Sequence, residues 1–185
     1  QEEVDHPWFI EKKVPIIISV GRLSYLKGYP YLLKAFAQVV VKVPSHLVIL
    51  GKGDEEQALK ELTKELGVED KVAFLGFQRN PFKYLARSDL AVYPSLREAF
   101  PMVLLEALAC QMPIISTRNP GATEIITDGV NGLLVPIADE FALAEAMLWL
   151  LKDRNLATSL AQAGRKRAED FAVERIIKEY EELFR

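Results

Sequence analysis

The chain has 185 residues, half of them apolar, and a formal net charge of −3. That length suits one domain or two small ones with a substantial core, and the slight negative charge argues against a broad nucleic-acid footprint. One cysteine, Cys110, and two histidines, His6 and His46, exclude an intrachain disulfide, a CxxC site and a histidine-rich metal centre.

The chain begins at Gln1 with no signal-peptide pattern, which suggests a processed chain or a piece of a longer one. No apolar run approaches the roughly 18 residues of a membrane span. Residues 1–13 are polar and charged around the knot Trp8-Phe9-Ile10 and read as a linker docking through its aromatics. Residues 14–20 form a short β-branched apolar run of the kind buried on both faces of a parallel sheet. Gly21 to Gly28 turns the chain into a helix from Pro30 to about Val43. His46 to Leu50 is the next strand, Gly51-Lys52-Gly53 its exit, and Asp54 to Leu66 an amphipathic helix stopped by Gly67. Val72 to Leu75 is a strand, Gly76 to Asn80 a loop, and Pro81 to Arg87 a short helix opened by proline.

A strand over 89–93 precedes a helix whose first residue is Pro101, and a strand over 113–117 follows it. A helix around Ala122 to Thr127, a turn at Asp128-Gly129 and a short strand from Gly132 to Val135 come next. From Asp139 onward the pattern is helical, with breaks near Asp153 and Gly164. The alternation predicts an α/β fold, a doubly wound parallel sheet whose loops converge beyond the carboxyl ends of the strands.

From Met102 to Ala109 every residue but Glu106 is apolar. Such a helix reads as buried all round, so Glu106 needs a partner: a ligand beside the helix start, or a structural Arg or Lys. It lies about 7.5 Å along the axis from Pro101 at 1.5 Å per residue, so a phosphate at the helix mouth would leave a ribose within its reach. Glu98, alone a solvated loop carboxylate, lies beside that helix start. Arg22 and Lys27, between Gly21 and Gly28, suit a diphosphate or are two solvated charges. Gly51-Lys52-Gly53 is half of a dinucleotide fingerprint, with a turn and a ligand contact equally open. Cys110 reads as an inert thiol, Asp128-Gly129 and Asn131-Gly132 as turns, and Glu124 as a carboxylate at a helix start. Glu55-Glu56 and Arg165-Lys166-Arg167 read as solvated helix faces.

Glu98 and Glu106 enclose seven residues, after Pro94-Ser95 and before Ala107-Leu108-Ala109. With Gly21-Arg22-Leu23, Lys27-Gly28, Gly51-Lys52-Gly53 and Gly76-Phe77 ahead of them, and Glu124 to Val135 behind, the chain resembles a known family. It is similar to the C-terminal, donor-binding half of a retaining family 4 (group 1) glycosyltransferase of the GT-B architecture. The similarity covers about residues 14 to 150 and is weaker beyond. It implies a linker over 1–13, a Rossmann-like nucleotide-sugar-binding domain over 14–152, and C-terminal helices over 153–185 packed on that domain. Arg22 and Lys27 would be catalytic on the donor diphosphate, in the place of the metal other transferases use, and Glu98 catalytic at the donor sugar. Glu106 would hold the ribose hydroxyls, backbone around Phe77 and Gln78 the base, and amides around Phe100, Met102 and Val103 the diphosphate or sugar. Gly21, Gly51 and Gly53 would approach the donor through their backbone.

The resemblance further implies a nucleoside-diphosphate sugar as partner, no metal or other cofactor, and transfer with retained anomeric configuration. The acceptor-binding N-terminal half would be missing, together with any peripheral membrane contact it makes, and the location would be cytoplasmic. The isolated chain is then expected to bind donor and to transfer sugar negligibly, the alternative being a non-catalytic sugar-nucleotide-binding module. The spaced glutamates argue against an epimerase of the same architecture, and the absent GxGxxG against a dinucleotide oxidoreductase. Ala99, Pro101 and Gln111 depart from the family pattern, standing where glycines are usual.

Overall fold

The computed structural model describes residues 3–172. Six parallel strands form one sheet in the order β3-β2-β1-β4-β5-β6. They are β1 (Ile16–Val20), β2 (His46–Leu50), β3 (Val72–Phe74), β4 (Leu90–Tyr93), β5 (Ile114–Thr117) and β6 (Leu133–Val135). The continuous apolar runs are explained by burial on both faces. Ile17, Leu47, Ile49, Leu90 and Val92 meet a layer built by α2 (Tyr29–Lys42), α3 (Glu56–Glu65) and α7 (Glu140–Lys152). Ile16, Ile18, Val48, Leu50, Ala91 and Tyr93 meet the opposite layer, which contains α4 (Phe82–Leu85), α5 (Met102–Ala109) and α6 (Pro120–Ile125). The strand order reverses between β1 and β4, and the crevice at such a reversal is where sheets of this kind bind ligands.

At the amino end, α1 (Pro7–Ile10) lays Trp8 flat on His46, with ring centroids 3.8 Å apart, and Phe9 edge-on to Tyr84. The α3 helix stops at Gly67, which takes φ +65°. Asp153 separates α7 from α8 (Arg154–Ala168) and caps the latter through the Leu156 amide. Gly164 does not break α8: an added Cβ would press on Leu108, so the glycine lets α8 approach α5. The part of the predicted C-terminal helices beyond residue 172 lies outside the described residues.

Two further boundaries differ from expectation. Asn119 caps α6 through the Ala122 amide and Pro120 takes the first turn, so α6 starts two residues early. Glu124 therefore lies near the helix end, where the dipole does not favour it. Pro101 is the cap of α5 rather than its first residue, with ψ 93°. At the other end of α5 the Gln111 amide returns to Leu108 and the Met112 amide to Ala107, a Schellman closure that puts Gln111 at φ +57°. The closure accounts for the glycine usual at that position. Gln111→Gly is expected to stabilise the chain by about 0.5–1 kcal/mol in urea unfolding, relief of the left-handed strain outweighing glycine's entropy.

Candidate functional site

The loops after β1, β2 and β3 stay paired beyond their strands. The Gly21 amide donates to the Leu50 carbonyl at 2.9 Å, Leu23 to Lys52 at 3.0 Å, and Gly51 to Gly76 at 2.8 Å. Gly51 holds φ +143°, and a Cβ there would collide with the Gly21 carbonyl; one at Gly53 would collide with the Leu23 backbone. Close backbone approach thus accounts for both glycines of the Gly51-Lys52-Gly53 turn. The buried Tyr29 hydroxyl, at the head of α2, donates to the Gly21 carbonyl at 3.2 Å, and burial raises its pKa so that it stays a donor. These loops border a cavity of about 480 Å³, lined by Gly21 and Arg22, by Gly51 and Lys52, and by Phe77 and Gln78. The Phe77 ring is exposed. Both ends of the Gln78 amide are engaged, with the Leu75 carbonyl at 2.7 Å and the Tyr84 hydroxyl at 3.1 Å, leaving its backbone for a ligand. Arg22 is solvent-exposed, 3.8 Å from an exposed Asp54 carboxylate, a pairing worth little.

One strand over, at the β1–β4 reversal, Lys27 pairs with Glu98, their side chains 25% and 17% exposed. The Ser95 hydroxyl adds a hydrogen bond to the same Glu98 oxygen at 3.3 Å. Gly28, at φ +66°, lets the β1 loop abut the Pro94 carbonyl, and the Leu96 amide donates to Leu26 at 2.8 Å. From the next strand Thr117 and Asn119 donate to the Ser95 carbonyl, and the Gly121 amide reaches Glu98. Sequence reading missed Tyr29, Ser95, Thr117 and Asn119. Only the last carried a signal, the Asn-Pro pair of a helix start.

The α5 helix is not buried all round. Met102 is 58% exposed, and with Glu106 and Ala109 it forms an open stripe at i, i+4 and i+7. The half-buried Glu106 carboxylate has no hydrogen bond or ion pair among the described residues, and partial desolvation raises its pKa. The structural Arg or Lys considered as its alternative partner is therefore not found among them. On β4, the Tyr93 hydroxyl is buried without a hydrogen-bond partner among the described residues, and burial followed by the Glu106 charge pushes its pKa up. Cys110 is half-buried, and burial raises its thiol pKa as expected of an unreactive group. No side chain caps α5; the Leu104 amide already returns to Pro101 at 3.0 Å, while Met102 and Val103 form the helix's first turn. The Phe100 ring leans on Phe171, with centroids 5.9 Å apart. Since α4 packs beside α5 and Pro81, just before α4, lines the cavity, Glu106 and the cavity share one side of the sheet.

Asp128 and Asn131 do turn work: Asp128 accepts from the Leu134 amide at 2.9 Å and Asn131 from Thr127 at 2.6 Å. Among the described residues no three His, Cys, Asp or Glu could hold a metal ion together, and no helix is long and apolar enough to cross a membrane.

The family described as glycosyl transferases group 1 matches residues 1–167. The N-acetyl-alpha-D-glucosaminyl L-malate synthase of Bacillus anthracis is 36% identical over 176 residues, 95% of this chain and 46% of the synthase. The N-acetylgalactosamine-N,N'-diacetylbacillosaminyl-diphospho-undecaprenol 4-alpha-N-acetylgalactosaminyltransferase of Campylobacter jejuni is 37% identical over 88% of this chain and 44% of its own length. Among solved structures, Anabaena HepE in complex with UDP and glucose matches with a TM-score of 0.88 and 27% identity, over 97% of this chain and 52% of HepE. The chain spans about half the length of these relatives.

Glu106 carries a stability signature that can be read without a ligand. A carboxyl whose pKa is raised on folding binds its proton more tightly when folded, so its cost is absent at low pH. The cost grows as pH rises through the unfolded carboxylate range and is complete above the folded pKa. Glu106→Gln is therefore expected to raise the melting temperature near pH 7 and to leave it unchanged near pH 3. A scanning-calorimetry series that shows a lower melting temperature at both would restore a structural role.

Proposed function

The chain belongs to the group 1 glycosyltransferases, and on that footing we propose that it is the C-terminal, donor-binding half of a retaining family 4 enzyme that takes a nucleoside-diphosphate sugar. The observation that carries this reading is the cavity at the sheet's carboxyl edge, with Arg22 on it and the Lys27–Glu98 pair one strand away. The UDP and glucose of HepE support a nucleotide-sugar donor here. Cations and fixed amides at that edge act where a departing diphosphate gathers charge.

In this reading Arg22 and Lys27 neutralise the nucleoside diphosphate, the task a divalent metal performs in other transferases, and Lys27 is shared between Glu98 and the phosphate. Glu98 holds the donor sugar, Glu106 the ribose diol, and the backbone of Phe77 and Gln78 the base. Amides at Phe100, Met102 and Val103 meet the diphosphate or sugar. The acceptor hydroxyl attacks the anomeric carbon on the face from which the diphosphate leaves. The bond from that carbon to the phosphate oxygen breaks as the new glycosidic bond forms, and the hydroxyl proton passes to the leaving phosphate. The acceptor is bound by the missing N-terminal half, which would also make any contact with a membrane face, and the chain alone binds donor but transfers negligibly.

Calorimetric titration of the chain with nucleoside diphosphates tests the reading, and failure to bind any of them refutes it. Arg22→Ala is expected to weaken binding by about 1.5–3 kcal/mol, the range for hydrogen bonds to charged groups. Glu106→Gln should cost affinity for nucleoside diphosphate but not for pyrophosphate. Rejoined to its native N-terminal half, the protein is expected to transfer sugar with retained configuration, read from the product's anomeric proton coupling.

A further inference from the structure

The cavity has largely hydrocarbon walls, from Val20, Leu50, Phe77 and Pro81, and no carboxylate among its lining side chains. Of its polar side chains, Gln78 is engaged at both ends and Arg22 faces Asp54. Lys52 alone has no hydrogen bond or ion pair among the described residues. Its backbone is nevertheless held in place. The Lys52 carbonyl accepts from the Leu23 amide at 3.0 Å, and the glycines on either side seat it against the β1 loop. Its stem passes over Gly76, where an added Cβ would lie 3.2 Å from Lys52 Cε. A lysine ammonium has three donors and no acceptor, so the one polar side chain lining this cavity that has no partner among the described residues offers donors only.

Of the two diphosphate cations, Arg22 borders this cavity and Lys27 lies beyond it. Lys27 and Glu98 stand at the β1–β4 junction, whereas Lys52 follows β2, on the other side of β1. Strands are about 4.8 Å apart, so Lys52 sits roughly one to two strand spacings from that junction, a separation a ribose can bridge. Resting on the reading of this cavity as the nucleotide site, we infer that Lys52 reads the base and favours uracil or guanine, which carry a carbonyl oxygen where cytosine and adenine carry an amino group. Uracil O4 and guanine O6 accept hydrogen bonds, whereas the amino groups of adenine and cytosine would point donors at a donor.

The test titrates the full 185-residue chain with UDP, GDP, ADP, CDP and pyrophosphate at one salt concentration, alongside Lys52→Met and Lys52→Arg. UDP or GDP is expected to bind roughly ten- to a hundred-fold tighter than ADP and CDP, as a hydrogen bond to a charged group allows. Lys52→Met should abolish that preference while leaving ADP and pyrophosphate affinities and the melting temperature in place, and Lys52→Arg should keep it. A uniform loss across all five ligands makes Lys52 a phosphate contact and overturns the inference, as does a preference that survives Lys52→Met. A wild-type chain that binds no nucleotide overturns the nucleotide reading itself, which the other two outcomes leave standing.

Discussion

Where β1 and β2 end as strands, their backbones do not separate. The ladder that pairs Val20 with Leu50 continues through the Gly21 and Leu23 amides into the next loop, and Gly51 ties that loop in turn to Gly76. This continued pairing is possible only because Gly51 and Gly53 have no side chain to push the loops apart. Its consequence is geometric: the floor of the cavity is made of backbone whose hydrogen bonds are already spent on other backbone. Such loops need no reordering when a ligand arrives, which is the condition for backbone groups and fixed cations to act on charge as it develops. Tyr29 extends the same economy to α2, using its hydroxyl to hold Gly21 while its ring anchors the helix in the core.

Charge at this edge is arranged in two contrasting ways. Lys27 and Glu98 satisfy each other, and Ser95, itself gripped by Thr117 and Asn119, steadies the carboxylate. That pair is content without a ligand, so the loops around it keep their shape when the site is free. Glu106 is left half-buried with no partner among the described residues, and its raised pKa marks the free energy lost by keeping it charged. A carboxylate expected to destabilise the fold where a glutamine would not is the kind of exception found at functional positions.

The sheet was legible in the sequence because strands covered on both faces must read as unbroken β-branched runs, as Ile16 to Ile18 do. Gly67 and Asp153 were legible for local reasons, a left-handed stop and a capping carboxylate. What escaped was set by neighbours in space. The composition of α5 could not show that Met102 and Ala109 face outward, since apolar residues at the surface are ordinary. Gly164 looked like a break, but α5 packs so close to α8 at that point that a small residue is needed inside a continuous helix. The Lys27–Glu98 pair joins residues 71 apart, and no local pattern announces it.

Exposure at this edge bears on the proposed donor-binding role. Tyr25, Leu26, Phe100 and Met102, neighbours in sequence of Lys27 and Glu98, are all at least 40% exposed. Lys27 itself retains a quarter of its side-chain surface. An ammonium open to water on this scale acts through a high effective dielectric, so on the proposed reading its attraction for a leaving diphosphate would be a fraction of what an enclosed site would give. On the proposed reading, binding would tolerate that loss, since the whole nucleotide would share the contact. Transfer would not, because its barrier falls only through interactions that strengthen as charge departs. A second body that covered these apolar side chains would raise the effect of Lys27 without moving it, so closure over this edge would supply catalytic power even if it contributed no charged group of its own.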